Sequence, residues 1–103
     1  MSTKVANPVR GEAAIVVAGE TLVLRPSFEA LVAAEEELGP LFALVERAAE
    51  GRLTLVETAA LFHHCAGSEA PRERIGAALV EMGLAKAASP LRVLLGQILQ
   101  GRV

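Results

Sequence analysis

The chain has 103 residues and a formal net charge of −2; 52% of it is apolar but only 3% aromatic. That length makes one domain with a modest core, built here from Leu, Val, Ile and Ala. The charge argues against general affinity for nucleic acid or anionic membranes, and the lack of Trp and Tyr removes a stacking platform for single strands.

The mean hydropathy of +0.44 leans toward a chain that completes its burial against a partner, and a homo-oligomer is one such outcome. Charge is uneven: residues 1–50 carry four Lys/Arg and eight Glu, residues 51–103 six Lys/Arg and four Glu, giving −4 against +2. Cys65 is the only cysteine, so no internal disulfide forms and a reducing, cytoplasmic setting is expected. No signal-peptide core and no apolar run of membrane length is apparent, so no membrane partner is expected.

Residues 1–10 (MSTKVANPVR) read as a loose arm, and 11–103 as a single domain. Ala13, Ile15 and Val17 alternate with Glu12, Ala14 and Val16, and 21–25 repeats that strand pattern with Leu22 and Leu24 on one side. A two-residue turn with Gly19 as its first central residue pairs Val17 with Leu22, Ile15 with Leu24 and, on the other face, Val16 with Val23. A turn centred one residue earlier sets Val17 opposite Glu20; the first register is preferred for keeping the apolar pairs together. The face with Val16 and Val23 is not polar, so it is either covered or extended by another chain. Cover by the chain's own helices on one face only is the favoured reading.

Ser27 is an N-cap and Gly39 a stop for a first helix, whose Phe28, Leu31, Val32 and Leu38 are expected to point at the hairpin. Glu35, Glu36 and Glu37 fan around most of a turn; adjacent like charges favour a solvated face over an acidic site. Pro40 starts a second helix with Leu41, Phe42, Leu44, Val45 and Ala48 inward and Gly51 as its end. Thr54 and Glu57 have capping-box spacing before a third, with Leu55, Ala59, Phe62 and Cys65 or Ala66 as its stripe. Pro71 opens a fourth through Ile75, Ala78, Leu79 and Met82 to Gly83, and 84–88 reads as a link. Ser89-Pro90 then starts a last helix of Leu91, Leu94, Leu95 and Ile98, with Val93 and Leu99 widening its apolar girth. The fold class is therefore α+β, mostly α: an N-terminal β-hairpin followed by about five short helices in one small domain.

No reaction centre emerges. His63, His64 and Cys65 are consecutive, and helix neighbours lie about 100° apart, so they splay rather than chelate or pair as nucleophile and base. No phosphate-binding or nucleophile-elbow glycine pattern is present. The expectation is no enzyme, no cofactor and no metal. Residues 54–82 have a helix-turn-helix outline with Arg72 and Arg74 at the second helix, but Glu69 and Glu73 share that end and would face phosphate, which disfavours nucleic acid. The surplus apolar side chains Val16, Val23, Leu95 and Leu99 are the expected partner-binding residues.

The Gly-Glu opening within 7–12, the Leu-x-Leu-Arg strand at 22–25 and the Glu-x-x-Leu-Gly helix end at 35–39 resemble small phage and gene-transfer-agent proteins grouped as tail tube or tail assembly chaperone proteins. The alanine-rich helix at 53–67 and the Leu-x-x-Met-Gly-Leu ending within 79–84 are similar as well. The resemblance implies a cytoplasmic tail morphogenesis protein of a bacterial host, one that binds the tail tape-measure protein and the tail tube protein. It carries no catalytic residue. Between the two family roles, one hairpin with about five helices favours chaperone over structural tail (tube) component, and a small DNA-binding regulator ranks third.

Overall fold

A computed structural model describes residues 5–7, 11–67 and 69–101. Strands β1 (Ala13–Val17) and β2 (Glu20–Leu24) form an antiparallel hairpin. Among the described residues five helices follow: α1 (Phe28–Leu38), α2 (Leu41–Ala49), α3 (Leu55–Cys65), α4 (Arg72–Met82) and α5 (Leu84–Gln100). The expected architecture is the observed one, a single compact and mostly helical domain. Residues 1–4 and 8–10 of the expected arm lie outside the described residues; within it, Asn7 is tied to Glu12 through its backbone N–H and C=O.

The hairpin register corrects the sequence expectation. Ala18 and Gly19 are the central turn residues, both at positive φ (52° and 81°), the pattern of a type I′ turn whose twist matches the strands. Val17 therefore stands opposite Glu20, Ile15 opposite Leu22, Ala13 opposite Leu24 and Ala14 opposite Val23. Moving the turn by one residue moves every pair by two, so the inward set is the same in both registers. Apolar pairing could not choose between them; turn geometry did. The observed register also gives Ala13 a partner in Leu24.

Ala13, Ile15, Val17, Leu22 and Leu24 join one core with Leu44, Leu61, Phe62, Ile75, Leu79 and Leu94. At its centre is α3, held between α1 and α4, while α5 packs on β1, α4 and α2. Thr54 and Glu57 form the expected capping box at its start. Its buried set is wider than the expected stripe, taking in Thr58, Ala60 and Leu61, whereas Leu55 is exposed.

Two helical faces differ from expectation. α1 packs against α3 and α2, not the hairpin, through Ala30 and Ala34, with Leu31 and Leu38 half-buried beside them. Phe28 and Val32 consequently face outward, and Phe42 of α2 does so as well. The small Ala30/Ala34 seam lets α1 approach α3 closely, an arrangement that favours alanine over the larger side chains.

The last helix also begins earlier than expected. Gly83, at φ 87°, ends α4 and starts α5 at Leu84, so 84–88 is helix and Pro90 lies inside it. Pro90 has no N–H to give the Lys86 carbonyl, a cost of about 3 kcal/mol in a helix interior. Burial of Ala87 in the first turn and of Leu94 beyond the proline offsets it.

Gly11 shows why the Gly-Glu start matters. Its φ is +74°, and a Cβ there would stand 2.5 Å from the Gln97 side chain of α5. The next residue, Glu12, is buried and accepts from the Asn7 N–H (3.0 Å) and from Arg25 Nε (3.3 Å). Sequence periodicity marks Glu12 only as a polar alternate. The structure makes it the bolt between the chain's start and the end of β2.

Candidate interaction surface

The four expected partner residues do not make one surface. Val23 is 1% exposed although it projects opposite to Leu22 and Leu24, so β2 is covered on both faces. It is excluded as a surface contact. Leu95 is half-buried and packs against the core. Val16, on the open face of β1, and Leu99, near the end of α5, are exposed (60% and 54%).

The two largest apolar exposures are on α1 and α2, ahead of Val56 on α3 and Val80 on α4. Phe28 is 83% and Phe42 77% exposed, which leaves Phe62 as the only one of the three phenylalanines in the core. Phe28 and Val32 are one turn apart on the outward side of α1, among the exposed Glu29, Glu35 and Glu36. On α2 the outward stripe is Phe42, Glu46 and Ala49. Apolar side chains ringed by carboxylates suit a segment that is apolar along its middle and basic at its rim. Sequence reasoning missed them because helical spacing alone does not say which stripe turns inward. The available signal was the Ala30/Ala34 pair, which competes with Phe28/Val32 for the inner face.

The three glutamates at 35–37 have separate tasks. Glu35 accepts from the Leu41 N–H (3.1 Å), capping α2 where Pro40 offers no side chain. Glu37 receives both Nη atoms of Arg72 (2.5 and 2.8 Å) and meets His64 Nε2 at 2.8 Å, so α1, α3 and α4 are clasped at one point. The Arg72 guanidinium, then His64, hold the Glu37 carboxyl at about 2, well below its ordinary range. Glu36 stays exposed.

This clasp pairs Arg72, at the start of α4, with a carboxylate of α1. Neighbouring Cys65 is buried, and burial pushes its thiol up to about 12, away from the thiolate a nucleophile requires. His63 Nδ1 is buried without a hydrogen-bond partner among the described residues, and its ring stands edge-on to that of His64 at 5.6 Å. No group of three or more His, Cys, Asp or Glu able to hold a metal occurs among the described residues.

Among families of known proteins, the one described as phage tail tube protein, GTA-gp10, matches residues 10–101. The chain belongs to that family. The match takes in the hairpin, all five helices and the Gly11–Glu12 junction, so the residues that carry the resemblance also hold this fold. No curated protein and no solved structure matches the chain. No described helix of this phage tail family member is long and apolar enough to cross a membrane.

Proposed function

We propose that this phage tail family member is a tail assembly chaperone, which keeps the tape-measure protein soluble in the host cytoplasm and brings tail tube subunits to it. It acts by binding, without chemistry or a cofactor. The observation that carries the reading is the outward placement of Phe28 and Phe42 among carboxylates, on helices that had an apolar core available to them. Exposed aromatic anchors with a charged rim are the anatomy of a protein-binding surface. The rim selects tape-measure or tube segments whose apolar side chains are flanked by Lys or Arg. A structural tube subunit is the second reading. It needs a sheet broad enough to continue round a ring, and the described residues form a sheet of two strands.

The test is co-expression with the tape-measure protein and recovery from the soluble fraction. The tape measure is expected to become soluble and co-purify, and the Phe28→Ala/Phe42→Ala double variant to reduce its recovery about tenfold at unchanged Tm. A tape measure that stays insoluble while this protein remains alone in solution sinks the chaperone reading. Ring or tube assembly of the purified chain at high concentration would support the second.

A further inference from the structure

Among the described residues the sheet has two strands, and no other strand lies beside the outer edge of β1. In a hairpin with a two-residue turn, the pair flanking the turn is the hydrogen-bonded one, here Val17 with Glu20. The alternation that follows points the backbone N–H and C=O of Ala14 and Val16 away from β2. No backbone bond from another described element reaches them. The strand reads Ala-Ala-Ile-Val-Val, with none of the charges or prolines that blunt an edge.

This edge borders a groove of about 840 Å³ that is also lined by Arg74, Ala77 and Glu81 of α4 and by Lys86 and Pro90 of α5. Arg25, Arg47, Arg52 and Arg72 each have a glutamate partner. Arg74 and Glu81 have no ion-pair partner among the described residues. They are seven residues apart, two helical turns on one side of α4, with Ala77 near the midpoint.

We propose that the groove takes β1 of a second copy of this chain, paired antiparallel across a two-fold axis to make a four-stranded sheet. An axis through Ile15 places Ala14 opposite the partner subunit's Val16, so the outward N–H and C=O groups of both strands are satisfied at once. The same two-fold relation turns the second α4 end for end, which sets Arg74 against the partner subunit's Glu81, and Glu81 against the partner subunit's Arg74. The opposite charges disposed about a small residue favour a second copy over an unrelated strand, which has no reason to match both signs in mirrored order. This inference does not depend on the chaperone reading.

The full chain is expected to sediment as a dimer that dissociates on dilution across about 1 to 100 µM. Arg74→Glu and Glu81→Arg are exposed-site changes, and each should weaken the dimer about tenfold, because two attractive pairs become repulsive. Mixing the two single variants should restore dimerisation, since their charges are complementary in the heterodimer, and the Arg74→Glu/Glu81→Arg double variant should dimerise with itself. Val16→Pro deletes an outward N–H and should give a folded monomer, with circular dichroism verifying the fold. A single-chain mass at every concentration overturns the proposal, as does a dimer unchanged by both single substitutions. A monomer whose Val16→Pro form loses co-purifying tape measure would assign the edge to a strand of that protein and overturn it too.

Discussion

Helices α1 and α3 have eleven residues each, and seven of the eleven are apolar in both. Yet α3 buries Thr58, Ala59, Ala60, Leu61, Phe62 and Cys65, whereas α1 buries only Ala30 and Ala34. Position in the fold makes the difference. α3 packs against both α1 and α4 and leaves large apolar side chains exposed only in its first turn, at Leu55 and Val56, whereas α1 packs against α3 and α2 through its alanines. Equal apolar content thus yields a scaffold in one place and a display surface in the other. The two are joined by alanine packing and by the Glu37 clasp, so each can be perturbed separately.

The widest separation should come from phenylalanine truncation. Phe62→Ala empties a fully buried site in α3 and should cost about 3–5 kcal/mol, a large part of a small domain's stability. Phe28→Ala on α1 should change stability by no more than about 0.5 kcal/mol. Urea denaturation of both measures the contrast, and comparable losses would erase the distinction between scaffold and display helix.

Overpacking the seam is the next largest change. Ala34 is fully buried where α1 meets α3, and Ala34→Leu should cost about 1–3 kcal/mol by pushing the helices apart. A neutral result in the same denaturation assay would mean that the seam is loose. Removing the cap of α3 is milder: Thr54→Ala takes away the acceptor of the Glu57 N–H and should lower stability by about 1 kcal/mol. A loss much smaller than that would show α3 to be held by packing alone.

The clasp, a surface ion pair, comes last in size, and its contribution is present at neutral pH and lost in acid. Glu37 is held at about 2 in the folded state against an ordinary value of 4.5. A depressed carboxylate stabilises the fold above its unfolded pKa, and the contribution is lost as pH falls from about 4.5 through about 2. Stability measured across that window should decline more steeply for the native chain than for Glu37→Gln. Parallel curves would remove Glu37 from the connection between α1 and its neighbours.

Much of the fold was legible because its punctuation is local. The Ser27 cap, the Thr54/Glu57 capping box and the glycines that end helices act over three or four residues, so a linear reading finds them. The misreadings also share a cause. Pro90 has the local signature of a helix start, yet the chain tolerates it inside α5 because burial on either side outweighs one missing hydrogen bond. Phe28 and Phe42 have the right spacing for a core stripe, but periodicity gives the width of an apolar face and not its direction. Val23 illustrates the converse, an outward strand position that the tertiary fold covers.

By itself, the sequence determined the elements, the order in which they come and the family to which the chain belongs, because caps, turns and apolar periods are written in neighbouring residues. The tertiary structure alone decided which faces turn inward, which of two parity-equivalent registers the hairpin takes, and that Arg72 and His64 meet Glu37. Those outcomes depend on competition among residues far apart in the chain, where close approach of alanines and bidentate charge geometry outweigh side-chain hydrophobicity.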